Sequence, residues 1–113
     1  MTLQQWITKY EKEAEKFILL PGFVIYYEPE HGFFCWKVTG NSFEIDHTCT
    51  DNIHWAHNKC MKMAKERGCK LLRTATTHDP AAYMRLTKGT PNIALSSVKP
   101  NGKMYWIFEQ KVQ

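Results

Sequence analysis

One stretch decides the fold: SFEIDHTC (residues 42–49), TDN (50–52), IHWAHNKCMKMAKER (53–67), KLLRTAT (70–76) and DPAAYMRLTK (79–88). It reads as a strand, a polar turn, a helix, a second strand and a short helix. The crossover through the helix predicts that the two strands lie parallel in one sheet. The turn leads into a helix N-terminus, the place where α/β folds usually hold anionic cofactors.

Further elements are predicted on both sides of this stretch. Residues 1–20 are expected to form an amphipathic helix capped by Thr2 and Gln5, with apolar spacing that continues to Phe17 and Ile18. Strands are predicted at residues 23–27, 33–38, 93–98 and 103–110, the last two joined by an Asn-Gly turn. In the strand that begins at residue 42, Phe43 and Ile45 alternate with polar residues, which predicts one buried and one wetter face.

The resulting element order is αβββαβαββ. It predicts a single α/β (α+β) domain over residues 1–113, with a mixed sheet and helices on both of its faces. Residues 1–20 would form the N-terminal helix and residues 23–113 the core. The central helix is expected over residues 52–67, with Asp51 as its N-cap and Gly68 at its end.

Composition limits the function classes. The 113 residues are 43% hydrophobic and carry a net charge of +4 without a basic run, which makes a nucleic-acid partner unexpected. No apolar run is long enough to span a membrane, so no membrane role is expected. The four cysteines of a chain without a secretion signal favour reduced thiols and a cytoplasmic location.

The segment AKERGCKLLRTATTHDPAAYMRLTKG (residues 64–89) resembles the helix–strand–helix segment of the GNAT superfamily of N-acetyltransferases. In that family "ARxxGC" leads into a strand and then into "NPxAYxRL", and the predicted element order is similar too. The resemblance implies a GNAT-like fold, an acetyl-CoA cofactor and transfer of the acetyl group to an amine. Small GNAT-like proteins encoded by bacteriophages are also similar, which would place the chain in the host cytoplasm or in a virion.

The cofactor turn departs from the family pattern. GNAT enzymes hold the coenzyme A pyrophosphate with a Gln/Arg-x-x-Gly-x-Gly/Ala turn, whose bare N–H groups and helix dipole bind the phosphates. The corresponding residues here, Thr50, Asp51, Asn52 and Ile53, include no glycine. Asp51 would satisfy the N–H groups that a pyrophosphate needs, and its charge would repel the phosphates.

This departure predicts a GNAT-fold protein without a cofactor, a pseudoenzyme that acts by binding a protein partner as a regulator, inhibitor or structural component. The alternative is an N-acetyltransferase that uses acetyl-CoA with an unusual cofactor turn. The two hypotheses differ in whether the strands of residues 43–48 and 71–76 separate to admit the cofactor. Aromatic residues on the strands would equally serve a homodimer interface.

Catalytic candidates follow from the resemblance. Tyr83 lies near the position of the tyrosine that protonates the departing thiolate in many GNAT enzymes. A carboxylate on the strand before the turn, Glu44 or Asp46, would act as general base toward an amine. Each has a simpler interpretation: Tyr83 as a packing residue, and the two carboxylates as surface groups.

Two other constellations stand out. His47, Cys49, His57 and Cys60 offer four nitrogen and sulfur ligands, although their spacing matches no standard zinc pattern and a buried cysteine often acts as a small hydrophobe. The indole of Trp55, with Lys59 and Lys62 beside it on the polar face of the central helix, is typical of a protein-binding surface. The alternative is that Trp55 lies beneath the N-terminal segment or a loop.

Overall fold

Six strands form one mixed sheet, with one helix on each face, in a computed structural model that describes residues 1–76, 92–98, 102 and 104–112. The elements are α1 (Leu3–Glu13), β1 (Val24–Glu28), β2 (Gly32–Thr39), β3 (Ser42–Thr50), α2 (Ile53–Glu66), β4 (Leu71–Thr76), β5 (Asn92–Val98) and β6 (Met104–Lys111). Their order across the sheet is β1-β2-β3-β4-β6-β5. The predicted fold class is confirmed. The short helix predicted within residues 79–89, and Tyr83 with it, lies outside the described residues.

The predicted parallel crossover is also confirmed. β3 pairs with β4 in parallel from Ser42–Leu71 to Ile45–Thr74, whereas all other neighbouring strands are antiparallel. Beyond Ile45, β3 continues to Thr50 without a partner on β4. The two parallel strands therefore separate at the end that leads into α2.

A β-bulge interrupts β3 in its middle. Between two successive pairs with β2, β3 advances by three residues, from Ile45 to Thr48, while β2 advances by only two. Asp46 and His47 therefore lie together opposite the single residue Cys35. An extra residue of this kind reverses the alternation of side chains along the strand.

The bulge assigns β3 side chains to two separate cores. Phe43 and Ile45 pack in the core beneath α2, which contains Phe34, Phe43, Ile45, Cys60, Met63, Ala64, Cys69 and Leu72. Cys49 packs in the core beneath α1, which contains Trp6, Tyr10, Phe33, Cys35 and Cys49. The alternation that we predicted holds for Phe43, Ile45 and the half-buried Glu44, but it is wrong for Asp46, which is 3% exposed.

The first helix is shorter than predicted. The Thr2–Gln5 capping box is present, but α1 ends at Glu13, and residues 15–20 have no regular structure. Tertiary contacts override the helical pattern here, because Phe17 packs edge-on against Tyr10 and the other aromatic rings of the α1 core. Within the described residues, neither helix has the length and apolar character that a membrane span requires.

We expect Gly32→Ala to lower the free energy of unfolding by about 3 kcal/mol or more. Gly32 has a φ of +120°, and a Cβ there would stand 2.0 Å from the carbonyl oxygen of Cys49 on β3. Gly40→Ala is the control, because Gly40 also has a positive φ but its Cβ would meet nothing within 4 Å. It should cost only about 1 kcal/mol in urea-induced unfolding. Equal losses for both variants would contradict the close approach at Gly32.

Candidate functional site

The turn before α2 is built differently from the prediction. The N-cap of α2 is Asn52, whose side-chain oxygen accepts a hydrogen bond from the backbone N–H of Trp55 at 3.2 Å. Asp51, the predicted N-cap, instead lies one residue outside the helix with 55% of its side chain exposed, 3.9 Å from His31. Asn52 has the extended backbone that an N-cap requires, with φ −145° and ψ 94°. Asp51 comes one residue too early to cap this helix.

Side chains of the same turn accept hydrogen bonds from two nearby backbone N–H groups. The Thr50 hydroxyl accepts a hydrogen bond from the backbone N–H of Asn52 at 2.9 Å, in addition to the bond that Asn52 accepts from Trp55. Thr50, Asp51, Asn52 and Ile53 thus lie together at the N-terminus of α2, as predicted, where Thr50 and Asn52 each accept from one backbone N–H and Asp51 lies beside His31. A pyrophosphate would have to displace two side chains and approach the Asp51 carboxylate. These residues do not fit the group that GNAT enzymes bind here.

The surface predicted around Trp55 is largely occupied. The indole is half-buried and stacks on the His31 ring of the β1–β2 turn, with ring centroids 5.0 Å apart. It also packs against the core beneath α2. The helical pattern alone placed Trp55 on the polar face because it could not show that the β1–β2 turn folds over this side of α2. The exposed indole that we predicted is therefore wrong, and the alternative, a tryptophan beneath a loop, is what the structure shows.

The two lysines beside Trp55 differ from each other. Lys59 Nζ lies 3.7 Å from a carboxylate oxygen of Glu28 and 5.5 Å from the centre of the Tyr26 ring. Tyr26 donates a hydrogen bond to the same carboxylate, which lowers the pKa of Glu28 and raises that of Tyr26. Lys62 is exposed. Lys59 thus pairs with the Glu28 carboxylate at the end of β1. Of Trp55, Lys59 and Lys62, only Lys62 is exposed to solvent rather than half-buried.

The four candidate metal ligands lie on opposite sides of the sheet. His47 and Cys49 face α1, whereas Cys60 lies in the core beneath α2, and His57 on α2 is 3.1 Å from the side chain of Gln110 on β6. Burial raises the pKa of the Cys49 and Cys60 thiols, which disfavours the thiolates that bind zinc. Among the described residues, no group of three histidine, cysteine or acidic side chains is placed to hold a metal ion.

His47 is instead the centre of a buried polar cluster. Its Nε2 lies 2.7 Å from the Ile18 carbonyl oxygen and its Nδ1 lies 2.6 Å from the Tyr10 hydroxyl, so both ring nitrogens have a partner. The Glu15 carboxylate lies 3.3 Å from the same Nδ1, and its side chain is fully buried. Burial, reinforced by the charges of Glu15 and Asp46, raises the pKa of Tyr10, so its hydroxyl stays protonated and able to donate. This cluster fastens the segment after α1 to the sheet.

A cleft of about 240 Å³ opens beside this segment, on the α1 side of the sheet. Its lining consists of Leu20, Phe23, Lys37, Glu44, Ile45, Asp46, Arg73, Ala75, Tyr105 and Ile107. The cleft brings together the two carboxylates that we proposed as general bases. Asp46 is only 3% exposed, which corrects its interpretation as a surface group.

Arg73 and Lys37 are the functional candidates that the sequence did not reveal. Both line the cleft with Glu44, from three different strands, β4, β2 and β3. The signal that would have found them is the strand register, since Lys37 and Arg73 are the two partners of Glu44 across the sheet. The Lys37–Glu44 pair is set by the two-residue turn at Gly40 and Asn41, whereas the Glu44–Arg73 pair depends on the alignment of two strands joined by a helix, which no local pattern fixes.

Comparison with known structures shows the fold. An acetyltransferase of the GNAT family from Desulfovibrio desulfuricans is similar over 80% of this chain and 68% of its own, with a TM-score of 0.54 and 15% identity. The ribosomal-protein-alanine N-acetyltransferase from Escherichia coli matches 100% of this chain and 91% of its own (TM-score 0.56, 12% identity). A Bacillus subtilis acetyltransferase in complex with CoA matches 97% and 84% (TM-score 0.54, 9% identity).

At 9–15% sequence identity, the likeness to these structures shows a GNAT fold but does not show the activity. No model of a protein family matches the sequence, and no curated protein matches it either. Tyr83, the candidate general acid, lies outside the residues that the structure describes. The catalytic roles of Tyr83, Glu44 and Asp46 stay predictions.

We expect Trp55→Ala to lower the free energy of unfolding by about 2–3 kcal/mol, because it removes a ring that packs on His31, Tyr26 and Phe34. Lys62→Ala, about two turns further along α2, should stay within about 0.5 kcal/mol of the parent protein. Urea unfolding of both variants measures the difference. A Trp55→Ala protein as stable as Lys62→Ala would show that the indole is a free surface after all.

Proposed function

We propose that this chain is a GNAT-fold binding protein that does not hold coenzyme A at the N-terminus of α2 and that acts through a protein partner. The observation that carries the proposal is the turn before α2. Its hydroxyl and carboxamide oxygens take up the backbone N–H groups of Asn52 and Trp55, which a pyrophosphate would otherwise receive.

The energetics favour this self-capped turn over an anion site. A capping side chain stabilises a helix by about 1 kcal/mol, and this contribution is present without any ligand. To bind a pyrophosphate, the chain would lose the contacts of Thr50 and Asn52 and would bring phosphate charge close to Asp51. Helix N-termini attract anions only when their N–H groups are available.

A second surface, around Trp36, is a candidate for binding a protein partner, since the surface around Trp55 is largely occupied. On the α2 side of the sheet, Val24 and Val38 have 52% and 42% of their surface exposed, and both lie next to Trp36. The Arg67 guanidinium lies 4.6 Å from the centre of the Trp36 ring. Exposed aliphatic groups around a tryptophan and an arginine are typical of protein interfaces. We call Val24, Trp36, Val38 and Arg67 the Trp36 patch.

The N-acetyltransferase alternative is supported by a different observation. β3 and β4 part after the Ile45–Thr74 pair, so the sheet has the opening that this hypothesis required. The buried Asp46 carboxylate lies next to that point on β3. An acetyltransferase would have to bind acetyl-CoA through the pantetheine arm and the acetyl group, with little contribution from the pyrophosphate.

We expect calorimetric titration with acetyl-CoA, and separately with CoA, to show binding no tighter than about 1 mM, an affinity of roughly 4 kcal/mol. A variant with Asp51→Gly and Asn52→Gly is the matched test of the cause. It removes the carboxylate and frees the capped N–H group at small cost to the helix, because glycine is accepted at the N-cap. The variant should bind CoA measurably more tightly than the parent protein.

Micromolar binding of acetyl-CoA to the parent protein would overturn the proposal and leave the acetyltransferase. Acetyl-pantetheine, which lacks the pyrophosphate, then shows which part of the cofactor is recognised. If it binds as tightly as acetyl-CoA, the strand opening holds the ligand and the turn contributes nothing.

We expect a Val38→Glu bait to lose the partner that the parent protein captures from a lysate of its source cells. Val38 is exposed, so the substitution should leave the free energy of unfolding within about 0.5 kcal/mol of its original value. Lys12→Glu changes the charge on the exposed surface of α1, at the opposite face of the sheet from the Trp36 patch, and serves as the control. Capture that is reduced equally by both substitutions would reflect net charge and would exclude the Trp36 patch as the interface.

A further inference from the structure

A row of charged residues with alternating sign crosses four strands of the sheet. Lys37 on β2 pairs in register with Glu44 on β3, Glu44 pairs with Arg73 on β4, and Arg73 pairs with Glu109 on β6. Directly opposed residues on neighbouring strands share one face of the sheet. The four side chains therefore follow one another as positive, negative, positive and negative on the α1 side.

The cleft lies over the first three members of this row. Lys37, Glu44 and Arg73 line it together with Asp46, whose carboxylate is almost fully buried. Its remaining walls are largely apolar and come from β4, β6 and the segment between α1 and β1. The cleft thus presents two positive and two negative groups inside a volume of about 240 Å³.

We propose that this cleft binds a small zwitterion, a free α-amino acid or a close analogue, with its carboxylate on Arg73 and Lys37 and its ammonium on Glu44 and Asp46. The proposal goes beyond the function argued above, and it does not require coenzyme A. Clefts that bind drug-sized ligands have about 300–1,000 Å³, so this one suits a ligand of amino-acid size.

Arg73 is held in place to receive an anion. Its Nε lies 3.0 Å from a carboxylate oxygen of Glu109, and 36% of the Arg73 side chain remains exposed. The Nε–H makes no hydrogen bond to any described residue, so the pair fixes the guanidinium by charge and does not exhaust its donors. A guanidinium fixed at one end presents its remaining N–H groups as a fork, which matches a carboxylate.

The balance of charges selects against ligands of one sign. A diamine would place a second ammonium beside Arg73 and Lys37, and a phosphate would face the carboxylates of Glu44 and Asp46. Each would leave two like charges close together in a partly desolvated site, where such repulsion is costly. A ligand that carries both charges a few bonds apart meets opposite charge at both ends.

The test is thermal melting of the full chain with each of the twenty L-amino acids, followed by calorimetric titration of those that raise the melting temperature. For the best ligand, two matched probes are titrated: the amine that lacks the carboxylate, and the N-acetyl derivative that lacks the ammonium. We expect each probe to bind at least about tenfold more weakly than the amino acid, since one charged hydrogen-bonded contact contributes that much.

Variants assign the two halves of the site. Arg73→Gln should bind the amino acid and its amine equally, because the group that recognises the carboxylate is gone. Asp46→Asn should bind the amino acid and its N-acetyl derivative equally, because a group that recognises the ammonium is gone. If Arg73→Gln does not fold, Lys37→Gln tests the same half from β2. Lys62→Gln lies on α2, at the opposite face of the sheet, and should bind like the parent protein.

Three results would overturn the proposal. If no amino acid binds at about 10 mM, an affinity of less than 3 kcal/mol, the charged row is an ion-pair network that serves only the sheet. If the amine binds as tightly as the amino acid, the cleft is a cation site. If the N-acetyl derivative does so, it is an anion site. None of these measurements involves acetyl-CoA, so their outcome is independent of the cofactor titration.

Discussion

The extra residue of β3 is the constraint on which the rest of the structure depends. Without the bulge at Asp46 and His47, every second side chain of β3 would face α2, and His47 would enter an apolar core with Phe43 and Ile45. The bulge turns the second half of the strand over. It thereby gives α2 an apolar surface and gives α1 a strand whose buried face includes an imidazole.

That imidazole determines where the segment after α1 runs. A buried histidine needs partners for both ring nitrogens, and His47 finds them in the Tyr10 hydroxyl and the Ile18 carbonyl. The Ile18 contact lies five residues beyond the last residue of α1, so it fixes a stretch that has no regular structure of its own. Leu20 and Phe23, which follow directly, then become a wall of the cleft. One buried ring thus links the register of β3 to the shape of the site.

The sequence allowed the order of the described elements, the parallel crossover and the two described helices to be predicted, because these depend on hydrophobic period and on turn residues. It did not allow three details that depend on tertiary contacts. Phe17 and Ile18 continue the helical spacing of α1, yet the aromatic core and His47 hold them outside the helix. Asp51 and Asn52 are equally good caps by type, and only the backbone conformation decides between them. The exposure of Trp55 was misjudged because a turn distant in sequence folds over it.

The gap between β3 and β4 has a capped, negatively charged turn at its α2 end and a cleft with charges of both signs at its other end. This difference determines which ligands each end can attract. At the α2 end, side-chain oxygens already accept from the backbone N–H groups of Asn52 and Trp55, and added negative charge would lie close to Asp51. At the other end, the paired strands place Glu44 between two cations and leave Asp46 buried beside a cleft. A buried carboxylate is costly unless opposite charge or hydrogen bonds compensate it. A ligand ammonium would add opposite charge beside Glu44 and Asp46, whereas a pyrophosphate would bring its charge close to Asp51. These contrasts support both proposals, that the cleft recognises a zwitterion and that the helix N-terminus does not hold coenzyme A.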